Sequence, residues 1–336
     1  MSFPPYWPTT GWESGLGSGL DDGTREWQDN PLFEGASKFQ TCDVPRDSDV
    51  FRAICKYIKA AVKASPYKTA KFESARLSEK DQKVHVSTVG KFLFTDPERP
   101  EFADRKYKVT RIKLVRNDTL WRDYEKSRLK RNKSLDALER VDWVSSTVTE
   151  GGFSFPIINQ SEGECYLMHG TKATTIKLIA QNGIGPEYCN YRGGAKGGYG
   201  SLGQGTYLTD NLAKCATYAS CPKCQASGGP CDCTNGIQPL ERMALIVRAL
   251  ILENTKVTTK KELAYQGQSL EHKAERPMVI GLASKPRTKW PNNVFLVRDK
   301  SIVYPEFVVF FQWSGSELPM QQPIWQNNPM FESKHK

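Results

Sequence analysis

The sequence lacks any apolar run long enough to cross a bilayer, which excludes a membrane-spanning helix. Its first ten residues carry prolines and aromatics, where a secretory signal would have a basic flank and a hydrophobic stretch. The nine cysteines lack the even spacing of a secreted disulfide framework, and no ankyrin period or zinc-finger array is present. We therefore expect an intracellular protein, nuclear or cytoplasmic, with no membrane partner.

The composition indicates one principal domain. The chain has 336 residues and is 38% hydrophobic, which is enough for one sizeable core. Its net charge of +10, from 47 basic and 37 acidic residues, favours anionic partners such as nucleotides or nucleic acid. Charge alone does not identify which of these is bound.

The two ends of the chain differ from its middle. Residues 1–37 are rich in Gly, Pro, Ser, Asp and Trp without periodicity, and we expect a flexible leader there and a flexible tail at 319–336. Residues 38–80 form a predicted amino-terminal helical extension. Within it, apolar positions recur at helical spacing over 47–62, with Asp47 or Ser48 available as the cap.

Alternating patterns predict strands over 84–94 and 107–115, and a helix follows at Leu120, Trp121 and Tyr124. That helix runs into a basic cluster at 126–133, which fits nuclear import or nucleic-acid binding. The favoured interpretation is a solvated helix face, because charged runs most often are one.

Three distant segments each place a polar side chain where a predicted strand meets a turn or short helix. They are Tyr166-Leu-Met-His169-Gly170-Thr171, Gly203-Gln-Gly205-Thr-Tyr207 and Tyr304-Pro305-Glu306-Phe307. In the last segment, alternation over 302–312 predicts that Glu306, Val308 and Phe310 share one face.

A glycine-rich loop at 193–205 contains a match to the dinucleotide fingerprint, residues 198–203. The predicted element after it is a strand, 206–209, whereas the fingerprint requires a helix whose amino terminus receives the pyrophosphate. We therefore exclude a Rossmann dehydrogenase. Asp210 or Asn211 then caps a short helix on which Cys215 and Tyr218 share one face.

In this order, the three segments resemble the His-Tyr-Glu signature of poly(ADP-ribose) polymerase-type, diphtheria-toxin-like ADP-ribosyltransferases. The resemblance covers roughly residues 80–315, and it sets the expected catalytic domain at 81–318. It implies an α+β fold with a split, largely antiparallel β-sheet core and peripheral helices. The implied activity is pentosyl transfer, in which ADP-ribose moves from NAD, bound as a substrate, to an acceptor and nicotinamide is released.

The resemblance also implies how NAD is held. His169 would hydrogen-bond the adenosine-side ribose, and the backbone of Gly170, followed by Thr171, would meet the nicotinamide carboxamide. Tyr207 and Tyr218 would stack on the nicotinamide ring. The alternative is that His169, Tyr207 and Tyr218 are structural residues of the hydrophobic core.

Two further positions line the implied pocket. Lys214 occupies the lysine position of the family. Cys215 replaces the usual serine, and a thiol is a weaker hydrogen-bonding group. This substitution favours weaker NAD binding or an oxidation-sensitive element, and the alternative is a small buried hydrophobe.

Glu306 is the predicted catalytic carboxylate, with His169 and Tyr207 completing the triad. Loss of nicotinamide leaves positive charge on the ribose, and a fixed carboxylate stabilises that state more than the ground state. A buried carboxylate on a strand could instead be a structural partner for Lys or Arg.

Four cysteines in a short stretch predict a structural zinc ion. Cys221, Cys224, Cys231 and Cys233 supply the four thiolates of a tetrahedral site that has no open position for substrate. The predicted insertion, 220–235, matches that of tankyrases in position only. Disulfides or free thiols are the alternatives.

Two other classes of function remain open. The cleft could serve a catalytically weak sensor that binds NAD or ADP-ribose, although Glu306 argues for an enzyme. The other class is a nucleic-acid-binding protein. It would need exposed aromatic residues among its basic residues, whereas the aromatic residues of this sequence mostly recur at the spacing of buried core positions. The expected acceptor is a protein, the basic surface would also permit nucleic acid, and the triad is compatible with mono- or poly-ADP-ribosylation.

Overall fold

The computed structural model describes twelve stretches of the chain. These are residues 7–8, 10–11, 13–14, 39–63, 106–141, 163–185, 202, 205–216, 218–219, 241–259, 276–282 and 293–314. Within them, no helix has the length and apolar character that crossing a membrane requires. The strand predicted over 84–94 and the four cysteines of the predicted zinc site lie outside the described residues.

A β-sheet of ten strands in the described residues forms the centre of the molecule. The strands are β1 (Glu13–Ser14), β2 (Gln40–Asp43), β3 (Lys106–Arg116), β4 (Glu164–Gly170), β5 (Thr206–Thr209), β6 (Arg242–Leu250), β7 (Lys256–Thr258), β8 (Met278–Gly281), β9 (Val294–Val297) and β10 (Val303–Ser314). Their spatial order is β1-β2-β3-β10-β6-β4-β5-β9-β8-β7. The pairs are antiparallel except β7 with β8, which confirms the predicted largely antiparallel α+β architecture.

The sheet divides at the seam between β4 and β5. One residue pair, Met168 with Thr209, joins these two strands, whereas β4 pairs with β6 along its whole length from Glu164 to Gly170. The strands therefore diverge beyond that pair. This seam corresponds to the split expected in the sheet, and the first two of the three sequence motifs lie on its two sides.

Five helices pack around the sheet within the described residues. They are α1 (Asp49–Lys63), α2 (Asp118–Lys130), α3 (Leu135–Arg140), α4 (Ala173–Asn182) and α5 (Leu212–Ala216), with a 3-10 turn at Lys300–Ile302. In α1, the Ser48 hydroxyl accepts from Phe51 N, so Ser48 rather than Asp47 is the cap. The helix predicted over 47–62 is confirmed.

Helix α1 packs closely against the sheet. Ile54 and Tyr57 are buried, and the Tyr57 hydroxyl donates to the backbone oxygen of Tyr166 at 2.6 Å. The apolar stripe of this helix is thus part of the main core.

Three residues of the basic cluster at the end of α2 pair with neighbouring carboxylates. Arg128 contacts Glu125 at 2.9 Å, Lys126 contacts Asp123 at 3.9 Å, and Arg131 contacts Asp299 at 2.8 Å. Since the first two pairs lie within one turn of the helix, they are consistent with the favoured interpretation, a solvated helix face.

Strand β10 lies between β3 and β6 and contains a bulge at Glu306. Tyr304 is paired with Arg248 of β6, and Phe307 is paired with Ile246. Over this stretch β10 therefore has one residue more than β6. Tyr304 and Phe307 therefore lie on the same face, since Arg248 and Ile246 are alternate residues of β6. The predicted alternation of Glu306 with Val308 and Phe310 was wrong here, because the bulge shifts the parity of the strand.

Trp7 packs against an aromatic cluster formed by α2 and β10. Its ring lies 5.4 Å from that of Trp121 and 6.0 Å from that of Tyr304, and only 8% of Trp7 is exposed. In addition, β1 pairs with β2 at the edge of the sheet. Trp7 and β1, both within the segment predicted to be a flexible leader, are therefore packed on the domain.

We expect Trp7→Ala to lower the free energy of unfolding by about 3 kcal/mol, because it removes a large buried ring and leaves a cavity. Denaturant titration measures this change. Leu129→Ala is the control, since Leu129 is 74% exposed on α2 and its removal should change stability by less than about 0.5 kcal/mol. Equal stability of Trp7→Ala and wild type would contradict the packing of the amino-terminal segment.

Candidate active site

His169 and Tyr207 meet across the seam between β4 and β5. The His169 Nδ1 atom lies 3.0 Å from the backbone oxygen of Tyr207. A carbonyl oxygen can only accept, so Nδ1 carries the proton and donates. Burial lowers the pKa of His169, which favours the neutral ring. The neutral tautomer leaves Nε2 as an acceptor, suited to a sugar hydroxyl.

Gly170 ends β4 where helix α5 approaches the strand. A Cβ atom built on Gly170 would lie 2.0 Å from the backbone oxygen of Cys215, so no other residue fits without moving α5. Asn211, rather than Asp210, caps this helix, since its Oδ1 accepts from Lys214 N at 3.4 Å. The predicted pocket residues on β4 and α5 are therefore neighbours.

The thiol of Cys215 is buried at this contact. Only 1% of the residue is exposed, and burial raises the pKa of its thiol well above the ordinary value. The group is therefore a neutral thiol at physiological pH, which disfavours the oxidation-sensitive interpretation, since oxidation proceeds through the thiolate. Thr171, half-buried, follows Gly170 in the connection to α4.

Tyr207 is fixed by the loop that precedes it. Its hydroxyl accepts from Leu202 N at 2.9 Å, and its ring packs beside Leu202 and Leu296. Gly205 has φ of 146°, and a Cβ there would meet the backbone oxygen of Val297 at 2.6 Å. The glycine before Tyr207 thus allows the loop to lie directly on β9.

Tyr218 is the more accessible of the two predicted stacking residues. It is 51% exposed, and the Lys214 ammonium lies 5.2 Å from the centre of its ring. Lys214 and Tyr218 are therefore neighbours at the end of α5. The stacking of Tyr207 and Tyr218 on one ligand ring stays a prediction.

Glu306 lies in a buried charged triad that spans three strands. Arg248 Nε donates to Glu306 Oε2 at 2.8 Å, and its Nη2 donates to Oε1 at 3.1 Å. Arg248 Nη1 donates to Glu164 Oε2 at 2.9 Å. The exposed fractions of the three side chains are 0% for Glu306 and 5% for each partner. We call Glu164, Arg248 and Glu306 the charged triad.

Tyrosine and tryptophan side chains surround this triad. The Tyr124 hydroxyl donates to Glu164 Oε1 at 2.8 Å, and Arg248 Nη2 donates to the Tyr166 hydroxyl at 3.3 Å. The guanidinium carbon lies 5.5 Å from the ring of Tyr166 and 5.9 Å from that of Trp121. The charges are therefore desolvated and held by directed hydrogen bonds.

Sequence reasoning missed Arg248 and Glu164. Each carries a detectable signal, since Arg248 interrupts the apolar run of β6 and Glu164 opens a strand that is otherwise apolar up to His169. A charge inside a buried strand requires a partner, but the sequence does not say which one. The structural partnership weighed for Glu306 is observed with Arg248.

The model of the poly(ADP-ribose) polymerase catalytic domain matches residues 93–313, more than half of the chain. Among curated proteins, none matches this chain. The match spans β3 to β10 and so contains the divided sheet, both sides of its seam and the charged triad. With this fold and this match, the chain belongs to the poly(ADP-ribose) polymerase catalytic domain family, which consists of NAD-dependent ADP-ribosyltransferases.

Proposed function

We propose that this protein cleaves NAD at the bond between nicotinamide and ribose and transfers the ADP-ribose to an acceptor. The observation that supports this most is the hydrogen bond from His169 to the backbone of Tyr207 across the seam. It joins two of the three motif segments at a point where the sheet opens, and a ligand can lie there against both strands.

His169, Gly170 and Tyr207 bind the dinucleotide in this proposal. Neutral His169 accepts a hydrogen bond from a ribose hydroxyl through Nε2. The backbone of Gly170 and the following Thr171 meet the carboxamide, while Tyr207 and Tyr218 stack on the nicotinamide ring. Stacked rings also exclude water from the bond to be broken.

Two residues of α5 complete this pocket. The ammonium group of Lys214, which lies 5.2 Å from the centre of the Tyr218 ring, is proposed to contact the ligand. Cys215 offers a buried neutral thiol to the carboxamide, in place of the hydroxyl that the family resemblance implies.

Glu306 is the proposed catalytic residue. As nicotinamide departs, the ribose acquires positive charge, and a carboxylate near it stabilises that charge most strongly where water is excluded. The bulge at Pro305–Phe307 directs this carboxylate onto Arg248 of β6.

A catalytically weak NAD or ADP-ribose sensor is the second candidate. The observation that favours it is the state of Glu306, whose side chain is fully buried and whose two carboxylate oxygens both accept from Arg248. A carboxylate engaged in this way could serve packing alone. Turnover by wild type and by a Glu306 variant separates the two candidates.

A protein side chain is the proposed acceptor, and the net charge of +10 also allows nucleic acid to serve. The residue types His169, Tyr207 and Glu306 are compatible with single-unit transfer and with chain growth. The form of the product distinguishes these outcomes in the experiment that follows.

A structural zinc ion is proposed for the cysteine-rich insertion. The four thiolates of Cys221, Cys224, Cys231 and Cys233 are the donor set that a closed tetrahedral zinc site uses. Such a site has no open position, so the metal would hold the insertion together and take no part in the reaction.

Glu306→Gln should lower kcat for nicotinamide release by at least about 100-fold, because the amide keeps the shape but removes the negative charge. Incubation with labelled NAD measures both release and product. One discrete labelled band indicates single-unit transfer, a ladder indicates chains, and free ADP-ribose alone indicates hydrolysis.

The control for this variant is Glu125→Gln, which removes a half-buried carboxylate of α2 that pairs with Arg128 outside the charged triad and should leave kcat within about twofold of wild type. NAD binding without any nicotinamide release by wild type would reject the transferase in favour of the sensor. Equal rates for wild type and Glu306→Gln would reject the assigned role of Glu306.

Cys215→Ser should lower KM for NAD by about fivefold, because a hydroxyl donates a stronger hydrogen bond to the carboxamide than a thiol does. Steady-state kinetics at varied NAD concentration measures this change. Cys165→Ser is the matched control, since Cys165 is also a buried thiol but lies within β4. The KM of this control variant for NAD should not fall. An unchanged KM in Cys215→Ser would contradict contact with the ligand.

The purified protein should contain about one zinc ion per chain, and Cys224→Ser should lose most of it. Atomic emission measures the metal, and thermal unfolding with and without a chelator should show a lower midpoint on zinc removal. Cys42→Ser, which changes a cysteine on β2, should retain the metal. Zinc content that is independent of Cys224 would overturn this assignment.

A further inference from the structure

Helix α5 carries part of the proposed nicotinamide pocket, yet it is too short to hold its own position. It has only five residues, Leu212–Ala216, and isolated helices of this length are unstable in water. Lys214 and Cys215 lie on it, and Tyr218 follows shortly after its end. The distance of these side chains from Gly170 therefore depends on the elements that pack against α5.

Several contacts of the described residues hold this helix. Asn211 caps its amino end. Past its carboxyl end, the buried side chain of Arg242 on β6 donates to Ala219 O at 2.5 Å. Between these ends, the backbone of Cys215 lies directly against Gly170 of β4. Helix α1 contacts α5 as well, so it is a further support of the pocket.

Tyr57 joins α1 to β4. Its hydroxyl donates to the backbone oxygen of Tyr166 at 2.6 Å, and its ring lies 5.9 Å from the Tyr166 ring. Tyr57 is 1% exposed and belongs to the same hydrophobic core as Cys215. Burial raises the pKa of Tyr57 well above its ordinary value, and the nearby Asp210 adds to the rise. The hydroxyl is therefore protonated at physiological pH and always available as a donor.

The contact of Tyr57 lies close to the seam. Tyr166 precedes by two residues Met168, the residue at which β4 is joined to β5. Strand β4 is itself held by β6 along its whole length, so it forms a fixed base for α1. Helix α5 has no strand ladder of its own, and its position is therefore the one that depends on how α1 is docked.

Helix α1 lies outside the region that matches the family. It ends at Lys63, whereas the match begins at residue 93. Its buried residues nevertheless belong to the core that also contains α5. They are Ala53, Ile54, Tyr57 and Ile58. The matched region therefore does not contain every residue that supports the wall of the pocket.

We propose that Tyr57 is a positioning residue for the nicotinamide pocket, because it docks α1 on β4 and α1 in turn holds α5 against Gly170. This inference rests on the proposed function, which places nicotinamide beside Gly170 and α5. Tyr57 acts through α5 and not by contact with the ligand. Its effect is expected on nicotinamide binding and not on the ADP-ribose half, which His169 of β4 binds in the proposed function.

Separate binding of the two halves of NAD tests this assignment without turnover. NMR titration measures the Kd of nicotinamide and the Kd of ADP-ribose. Tyr57→Phe removes one hydroxyl and should weaken nicotinamide binding about fivefold. Tyr57→Leu also leaves a void beneath α1 and should weaken it at least about 20-fold, since small displacements of a site are costly. The Kd of ADP-ribose should change less than twofold in both variants.

Amide hydrogen exchange gives a second readout that needs no ligand. In Tyr57→Phe the amides of α5 should exchange at least about fivefold faster than in wild type, because their helix is less firmly supported. The amides of β4 should exchange as in wild type, since β6 holds that strand.

Leu252→Ala is the control for a general loss of stability. Leu252 is buried just past the end of β6 that lies away from Gly170, so its truncation destabilises the core at a distance from α5. Both ligands should bind to this variant within about twofold of wild type. Thermal unfolding of each variant verifies that it is folded, and Tyr57→Phe decides the test if Tyr57→Leu does not fold.

The outcomes separate this inference from the proposed function. If wild type binds both ligands and both Tyr57 variants keep its affinity for nicotinamide, the role of Tyr57 is overturned while the transferase stands. Equal weakening of both ligands, or the same selective loss in Leu252→Ala, would also overturn it, since either result indicates a general loss of structure. If wild type binds ADP-ribose alone, the pocket assigned to α5 fails and this inference with it. If wild type binds neither ligand, the proposed function itself fails.

Discussion

The buried hydrogen bonds of Arg248 are the interaction on which the centre of this molecule depends. One guanidinium joins β4, β6 and β10 through Glu164 and Glu306, so three adjacent strands are tied by charge as well as by their backbone ladders. Removing any one member would leave an unpaired charge in the core, which is far more costly than losing a surface ion pair. The register of β10 against β6 is constrained accordingly, because the bulge places Glu306 on the guanidinium.

The aromatic residues around the charged triad explain how the core accommodates it. Tyr124 and Tyr166 supply hydroxyls to the charges and rings to the hydrophobic core, so the charged groups meet polar partners within it. Tyr304 extends this arrangement, since its hydroxyl donates to Val115 O and accepts from Asn117 N while its ring packs against Trp121. Trp7 then covers the cluster from the amino-terminal segment.

The elements with strong periodicity were predictable from sequence. Helix α1 and the strand of Tyr107 follow from residue spacing, and the three motif segments lie at strand ends as expected. The largely antiparallel sheet was expected from the family resemblance and not from spacing. The bulge at Glu306 was not predictable, since a strictly alternating pattern gives no sign of an inserted residue. The packing of Trp7 was missed for a related reason, because a single buried side chain in a Gly- and Pro-rich segment has no periodicity to detect.

Charge pairing shows what the sequence could not reveal about the surroundings of Glu306. Glu306 is recognisable because it sits in a motif, yet its immediate partner is 58 residues away and Glu164 lies 84 residues from Arg248. Such pairs form only when the sheet brings β4, β6 and β10 side by side, which is a property of topology rather than of local pattern. The seam also depends on topology, since the contact of His169 with Tyr207 arises where β4 and β5 begin to separate. Glu164 and His169 lie five residues apart on β4 and so face opposite sides of the sheet, which means that the charged triad ties β4 to β6 and β10 on one face while the seam contact forms on the other.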